Sequence, residues 1–344
     1  MLVIRPVQLS DLDELYELSA LAGSGLTTLP HDRRVLERRV KSSILCFENM
    51  AEKPEGEDYV FVMEDLKTKK VVGISAIFSK VGGFEPFYTY QIKTMTIESK
   101  ALGVKKKIKY LKLLSKHNGP TEIGTLFIHP DYRKGGLGRF LSLSRFLFLA
   151  QYPQCFEETV LAEMRGLFDK DGHSPFWEDF ARHFFDVEFE KADLMVMQDK
   201  SFIEDLMPKH PIYIPLLSKQ AQAAIGCVHP NSAPAKHLLE SEGFAFNNQI
   251  DIFEAGPVLS CKTKNIRTVR ESKLALIAGI QDLDIESAEY LVIPTRSMRE
   301  YRAVKTHAGM NDDGTLIIPS DAARVLKVAV GDSVRYVPLK SPKK

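Results

Sequence analysis

The 344-residue sequence contains only four cysteines. Cys46, Cys155, Cys227 and Cys261 lie far apart with no C-x-x-C pair, so neither a zinc site nor a disulfide framework is indicated, and a reduced cytoplasm fits best. An excess of either charge is also missing. Lys and Arg total 46 against 45 Asp and Glu, a formal charge of +1, which gives no global pull toward nucleic acid or an anionic membrane. No stretch reaches the roughly 18 uncharged residues of a spanning helix. The start, "MLVIRPVQLSDLDEL", puts Arg5, Asp11 and Asp13 where a signal peptide needs an apolar centre, so the expectation is a chain neither exported nor membrane-spanning. There is no G-x-x-x-x-G-K-[ST], and from Gly136 and Gly138 the third position of a dinucleotide fingerprint is Leu141. The nearest approach to a serine-nucleophile elbow, "AGSGL", has Ala22 where glycine is needed. No metal-ligand spacing is present, and no metal is expected.

What is present is ordinary for a globular protein, with 44% hydrophobic and 26% charged residues. The length predicts two domains. "LVIRPVQLSDLDELYELSAL" reads as a strand followed by a helix. "DYVFVMED" and "KVVGISAIFSK", separated by "LKTKK", read as a hairpin, and "YTYQIKTMTIES" and "TEIGTLFIHP" as further strands. A helix must end at Pro153, and "ETVLAEMRG" is the next strand. "SPFWEDFARHFFDVEF" predicts an amphipathic helix with Ser174 as its cap and Pro175 at its first position. "KQAQAAIG" and "APAKHLLESEGF" predict helices closed by Gly226 and Gly243, before a strand over "FAFNNQIDIFEA". Beyond about residue 260, "KNIRTVRES", "EYLVIP", "REYRAVK", "GTLIIPSDAARVLKV" and "DSVRYVPLK" read as short strands of a small β-rich second domain in which no chemical motif stands out. "SPKK" is expected to be a solvated tail.

The stretch "HPDYRKGGLGRF" holds three glycines between a strand and a helix. A strand, a tight glycine turn and a helix start make an anion site, because unpaired N–H groups and the helix dipole face whatever approaches. Arg133-x-x-Gly136-x-Gly138, after Leu126, Ile128 and Pro130, resembles the diphosphate-binding signature of the GNAT acyltransferases, which hold coenzyme A there; Gly135 lies outside that motif and serves the turn. "LLESEGF" resembles the same family's last helix, with Leu239 where many members carry an acidic tyrosine. The resemblance implies a mixed α/β fold, an α+β mixed sheet of GNAT type spanning 1–255, with an insertion at about 165–220 and a smaller β-rich domain at 256–344.

Four stretches resemble the arginine N-succinyltransferases more closely: "MLVIRPVQLSDLDELYELSALAGSGLTTLP", "TLFIHPDYRKGGLGRFLSLSRFLFLA", "VLAEMRGLFDKDGHSPFWEDFARHFF" and "AIGCVHPNSAPAKHLLESEGF". The resemblance implies transfer of a succinyl group from succinyl-CoA, a cosubstrate rather than a bound cofactor, to the α-amine of L-arginine, giving N2-succinylarginine. It implies His229 as proton donor to the departing thiolate and Leu126 as a succinyl-CoA contact, with Ile128, Arg133, Gly136 and Gly138 completing the coenzyme site. Such an acid and a fixed backbone donor are what thioester aminolysis needs. The competing account of His229 is a capped loop histidine before Pro230.

The guanidinium of the acceptor calls for carboxylates. Glu163, Asp169 and Asp171 are the candidates, with Arg165 available to a substrate carboxylate; acidic residues beside a glycine turn are also commonly plain loop charges. "GSGLTTLP" is either a loop over the acceptor or a connector. The lysine run "GVKKKIKYLKLL" reads as a solvated surface, so no nucleic-acid or membrane partner is expected. A homo- or hetero-oligomer is expected. The rival readings are the same fold with another acyl group or amine, and a non-catalytic partner subunit.

Overall fold

The computed structural model describes residues 1–23, 26–83, 85–282 and 289–339. The tail "SPKK" and two residues of "GSGLTTLP", Ser24 and Gly25, lie outside them. Ten strands build the first part: β1 (Leu2–Pro6), β2 (Asp58–Asp65), β3 (Lys70–Phe78), β4 (Phe87–Ser99), β5 (Val104–Lys116), β6 (Thr121–Ile128), β7 (Thr159–Glu163), β8 (Ile212–Tyr213), β9 (Ala245–Ile250) and β10 (Pro257–Lys262). Six more follow: β11 (Lys273–Ile280), β12 (Glu289–Pro294), β13 (Ala303–His307), β14 (Gly309–Met310), β15 (Leu316–Ile318) and β16 (Ser333–Pro338). They join in the order β14-β15-β11-β16-β12-β13-β1-β2-β3-β6-β7-β10-β9-β4-β5-β8. With helices packed on it, this is the mixed α/β architecture with a β-rich C-terminal part that the sequence implied.

Strands β2 and β3 are apolar at nearly every position because both of their faces are covered. Val60, Val62, Val71, Ile74 and Ala76 pack on Leu12, Leu15, Leu18, Leu36 and Val40, from helices Leu12–Ala22 and Arg33–Glu48. Tyr59, Phe61, Met63, Val72 and Ile77 face helix Leu137–Gln151 on the other side. That helix is buried on all sides from Phe140 to Leu149, as a helix without a polar face must be. It also buries a charge. The Arg145 guanidinium donates to Ser142 O, Ser142 Oγ and, at 3.2 Å, Gly124 O of β6, and desolvation lowers its pKa to about 9.

Two irregularities in β6 position the site. Ile74 pairs with Phe127 and Ala76 with Gly124, so Ser75 faces two residues, Thr125 and Leu126, across a bulge. Thr125 takes φ +51° there, a conformation unusual for a β-branched residue, and its hydroxyl bonds Thr28 Oγ1 at 2.8 Å. On its other edge β6 runs parallel to β7 only at Thr121 and Glu122. Beyond those two residues the strands no longer pair.

Several local expectations changed. The strand foreseen over "FAFNNQIDIFEA" stops at Ile250, because the Asp251 carboxylate accepts from the N–H groups of Phe253 and Glu254, both at 2.7 Å, and folds the chain into a turn. "KNIRTVRES" is not a strand: Arg267–Glu271 is a helix whose start is held by buried Glu242, which accepts from Arg267 and from Thr268 N. "KLALIAGI" is a strand, β11, and "SDAARVL" a helix closed by Lys327 at φ +58°. "SPFWEDFARHFF" is helical with a π turn over Trp177–Ala181. The lysine run lies on β5, paired with β4 over thirteen residue pairs as an arm with exposed lysines. The C-terminal strands continue the first sheet, as β13 pairs antiparallel with β1 at Val3↔Val304 and Ile4↔Ala303. No described helix is long and apolar enough to cross a membrane.

Candidate active site

The glycine loop begins where β6 ends. His129 opens a 3-10 turn over Pro130–Tyr132, and helix Leu137–Gln151 starts from Gly136 without a side-chain cap. Its first N–H groups thus lack side-chain partners and point along the positive end of the helix. Gly135 and Gly136 take φ +61° and +74°, which side chains resist. At Gly135, Gly136 and Gly138 an added Cβ would meet nothing within 4 Å, so the space before the loop is open to a ligand. Arg133 is pinned beside it, with Nε donating to Ile128 O at 3.0 Å and the guanidinium 5.2 Å from the Phe127 ring centre. Leu126 is half-buried at the bulge and Ile128 is buried.

A cavity of about 420 Å³ is lined by Glu122 of β6 and Glu163 of β7 together with Asp193, Asp251, Glu254 and the exposed Glu85, with Lys80 and Lys200 as cations in the lining and Thr27 and Thr28 at its wall. The five buried carboxylates arrive from four places in the chain: Glu122 from β6, Glu163 from the end of β7, Asp193 from helix Phe189–Val196, and Asp251 and Glu254 from the turn after β9. Loop residues 26–30 close the wall, because Thr27 Oγ1 donates to Asp193 Oδ1 and Arg39 holds Thr28 O. Of the two readings of "GSGLTTLP", its described part is therefore a cavity wall.

Burial acts on all five acids in one direction. Desolvation, with mutual repulsion added for most of them, raises their pKa values: Glu122 to about 7, Asp193 to about 6, Glu163 and Glu254 well above their ordinary value, and Asp251 upward. Two of their oxygens, Glu163 Oε1 and Glu254 Oε2, are buried without a hydrogen-bond partner, as is Arg165 Nε. Buried polar atoms are ordinarily satisfied, so these three are available to a polar partner. Among the described residues no three His, Cys, Asp or Glu side chains are grouped to hold a metal ion.

The raised pKa values have a stability consequence whose sign is the reverse of ordinary acid denaturation. Unfolded carboxyls titrate near ~4, so between pH ~4 and ~7 the folded chain binds more protons than the unfolded one. The stabilisation is complete below the unfolded value and is lost as pH rises through about 6 for Asp193 and about 7 for Glu122. Differential scanning calorimetry of the ligand-free chain should show Tm rising by roughly 2–4 °C from about pH 8 to about pH 6. A flat or falling Tm over that window contradicts the burial of these acids.

His229 is not among the residues that line the cavity. Its N–H donates to Arg165 O at 2.8 Å, and its Nδ1 accepts from Asn231 N at 3.1 Å, capping the 3-10 turn Pro230–Ser232. With Nδ1 so engaged, the neutral ring carries its proton on Nε2. Burial and the charge of Arg165 hold the ring pKa below its ordinary value. His129 builds the same His-Pro turn, so capping alone does not single out His229. Its neighbours do: Arg165 lies 4.8 Å from the Phe168 ring centre, Phe168 is edge-on to His229 at 6.3 Å, and the Arg165 charge is felt by Asp193 and Glu254.

A family model described as the arginine N-succinyltransferase beta subunit matches residues 2–268. The chain belongs to this family. A second model, described as the C-terminal domain of the same arginine N-succinyltransferase beta subunit, matches residues 271–338. Among the family's named proteins, the arginine N-succinyltransferase of Yersinia pestis (strain Pestoides F) is 41% identical, with 99% of each chain covered, and that of Enterobacter sp. (strain 638) is 43% identical, with 98% of each covered. The solved arginine/ornithine succinyltransferase subunit AI from Pseudomonas aeruginosa superposes with a TM-score of 0.90 at 32% identity, with 99% of each chain covered.

Of the acidic residues singled out in the sequence, only Glu163 lines the cavity, with Arg165 beside it. Asp169 is outside the lining, its carboxylate accepting from Asp171 N and His173 N in an exposed loop, and Asp171 is exposed in the same loop. Sequence reasoning missed Glu122, Asp193, Asp251 and Glu254. Asp251 and Glu254 were assigned to a strand whose alternation hid them, and Asp193 lies about 30 positions from Glu163 on a helix with no motif. Glu122 left one signal: an acid inside the apolar strand "TEIGTLFI".

Proposed function

We propose that the chain transfers the succinyl group of succinyl-CoA to the α-amino group of L-arginine, releasing CoA and N2-succinylarginine. The observation that carries this reading is the cavity with five buried acids and two unpaired buried oxygens, in a chain that also carries a coenzyme A-type glycine loop. A guanidinium offers five N–H donors in a planar fork, and a buried cluster with raised pKa values is stabilised when such a cation enters. Glu163 and Glu254 are its main partners. The diphosphate lies on the loop Arg133 to Arg139, with Gly136 and Gly138 clearing its path, and the pantetheine passes Leu126 and Ile128 at the parted edge of β6.

There the α-amine, having given a proton to a carboxylate of the cluster, attacks the thioester carbonyl. A C–N bond forms, the oxyanion is met by backbone N–H groups freed where β6 leaves β7, and as the C–S bond breaks the second proton of the attacking nitrogen passes to the departing sulfur, leaving the amide and the free CoA thiol. His229 presents Nε2–H to the departing thiolate. In this role it is a hydrogen-bond donor that stabilises the sulfur and keeps its own proton, as a neutral imidazole does, in keeping with its lowered pKa. Asp169 and Asp171 take no part in this scheme. The reaction is placed in the cytoplasm, in an oligomer.

The test is thiol release by the purified chain, given succinyl-CoA or acetyl-CoA with arginine or ornithine. The expected result is fastest release with succinyl-CoA and arginine. No turnover by the lone chain sinks the reading of a self-sufficient enzyme.

A further inference from the structure

The C-terminal β-rich unit touches the glycine loop through the side chain of Lys305. This lysine, in β13, donates from Nζ to Gly135 O at 3.1 Å and is held from behind by Glu289 Oε1 at 3.0 Å. The contact joins residues 170 positions apart. It is placed by rigid structure, since β13 is paired on one side with β12, at Lys305↔Leu291, and on the other with β1. A flexible surface lysine meeting a carbonyl would carry little. Here the carbonyl belongs to the first of two successive left-handed glycines, whose peptide is otherwise free to turn.

We propose that Lys305 is a positioning residue for the coenzyme A diphosphate, and that this is the contribution of the C-terminal unit to the active site. The inference rests on the coenzyme A reading of the loop. A trans peptide points its C=O and the following N–H in opposite directions. Anchoring Gly135 O on Lys305 therefore aims the Gly136 N–H away from β13, to the side of the loop opposite the ammonium. The same bond covers the negative end of a carbonyl that would otherwise be able to turn toward a dianionic diphosphate. Loss of a hydrogen bond to a charged donor corresponds to about tenfold in affinity.

The experiment compares wild type with Lys305→Met and Lys305→Arg, using free CoA in a binding titration and two thioesters in turnover: succinyl-CoA, and succinyl-N-acetylcysteamine, which has no diphosphate. Lys305→Met should raise the Kd for CoA and the KM for succinyl-CoA about tenfold, leave kcat and the KM for arginine within about twofold, and cut the preference for succinyl-CoA over the short thioester by the same factor of about ten. Lys305→Arg should restore most of it. An unchanged Kd for CoA overturns the proposal, as does an equal loss on both thioesters, which marks general disruption. If Lys305→Met does not fold, Lys305→Gln is measured in its place under the same criteria. Wild type that binds no CoA is a separate result and overturns the reading of the loop itself.

Discussion

Glu163→Gln lowers kcat/KM for arginine by about 10²-fold or more and leaves the Kd for CoA unchanged. Glutamine keeps the size and the hydrogen-bonding capacity of the side chain, so the fold has no cavity to absorb. What it removes is charge from a site where one carboxylate oxygen is buried and unpaired. Removing one member of a buried, hydrogen-bonded charge pair costs about 2–5 kcal/mol, and about 1.4 kcal/mol is tenfold. Steady-state kinetics with a parallel CoA titration measure both quantities. The same electrostatics set a pH dependence. Protons compete with the guanidinium, so kcat/KM for arginine in the wild type falls as pH drops through about 7 and then about 6, where Glu122 and Asp193 take up protons. An effect of Glu163→Gln below about threefold removes the carboxylate from the acceptor site.

His229→Ala lowers kcat by about 10²-fold or more, the ordinary size of a lost hydrogen-bond donor to charge developing in a transition state. The variant also removes the cap of the turn at Pro230, so a second substitution separates the two roles. His229→Asn retains a side-chain acceptor for the Asn231 N–H, since asparagine is a strong cap, but offers no imidazole at the thiolate. Equal losses in the two variants assign the effect to the ring; full activity in His229→Asn returns the residue to capping, the role His129 fills. Because the ring pKa is held low, its donor form is the neutral one, and kcat should not decline from about pH 7 to about pH 9 through loss of an imidazolium. A loss of kcat on raising the pH, with a midpoint at or above the ordinary imidazole value of about 6.5, contradicts the neutral-donor role.

The glycine loop was legible in the sequence because its chemistry is local. Gly135, Gly136 and Gly138 follow one another in a strand-turn-helix whose backbone needs are written in adjacent residues. The buried helix after it was legible for the same reason. The acceptor site was not, because it is assembled by topology. Glu122 and Glu163 come together only where β6 and β7 start parallel and part, Asp193 is brought in by an inserted helix, and Asp251 and Glu254 depend on a turn that replaces the second half of an apparent strand. Helix Arg267–Glu271 was misread likewise, since its ion pair to Glu242, 25 positions away, outweighs the strand-like local pattern. The lysine run was legible as solvent-facing, yet its place on a paired strand follows from β4, not from its own residues.

The central claim is that the buried acids of the cavity read a guanidinium, and substituting L-citrulline for L-arginine tests it most directly. Citrulline keeps the α-amine, the chain length and the planar head group but carries no charge there. With saturating succinyl-CoA, the account predicts kcat/KM for arginine at least about 10³-fold above that for citrulline, the discrimination expected where unpaired buried charges are left behind. Succinylation of both amino acids at comparable kcat/KM contradicts it.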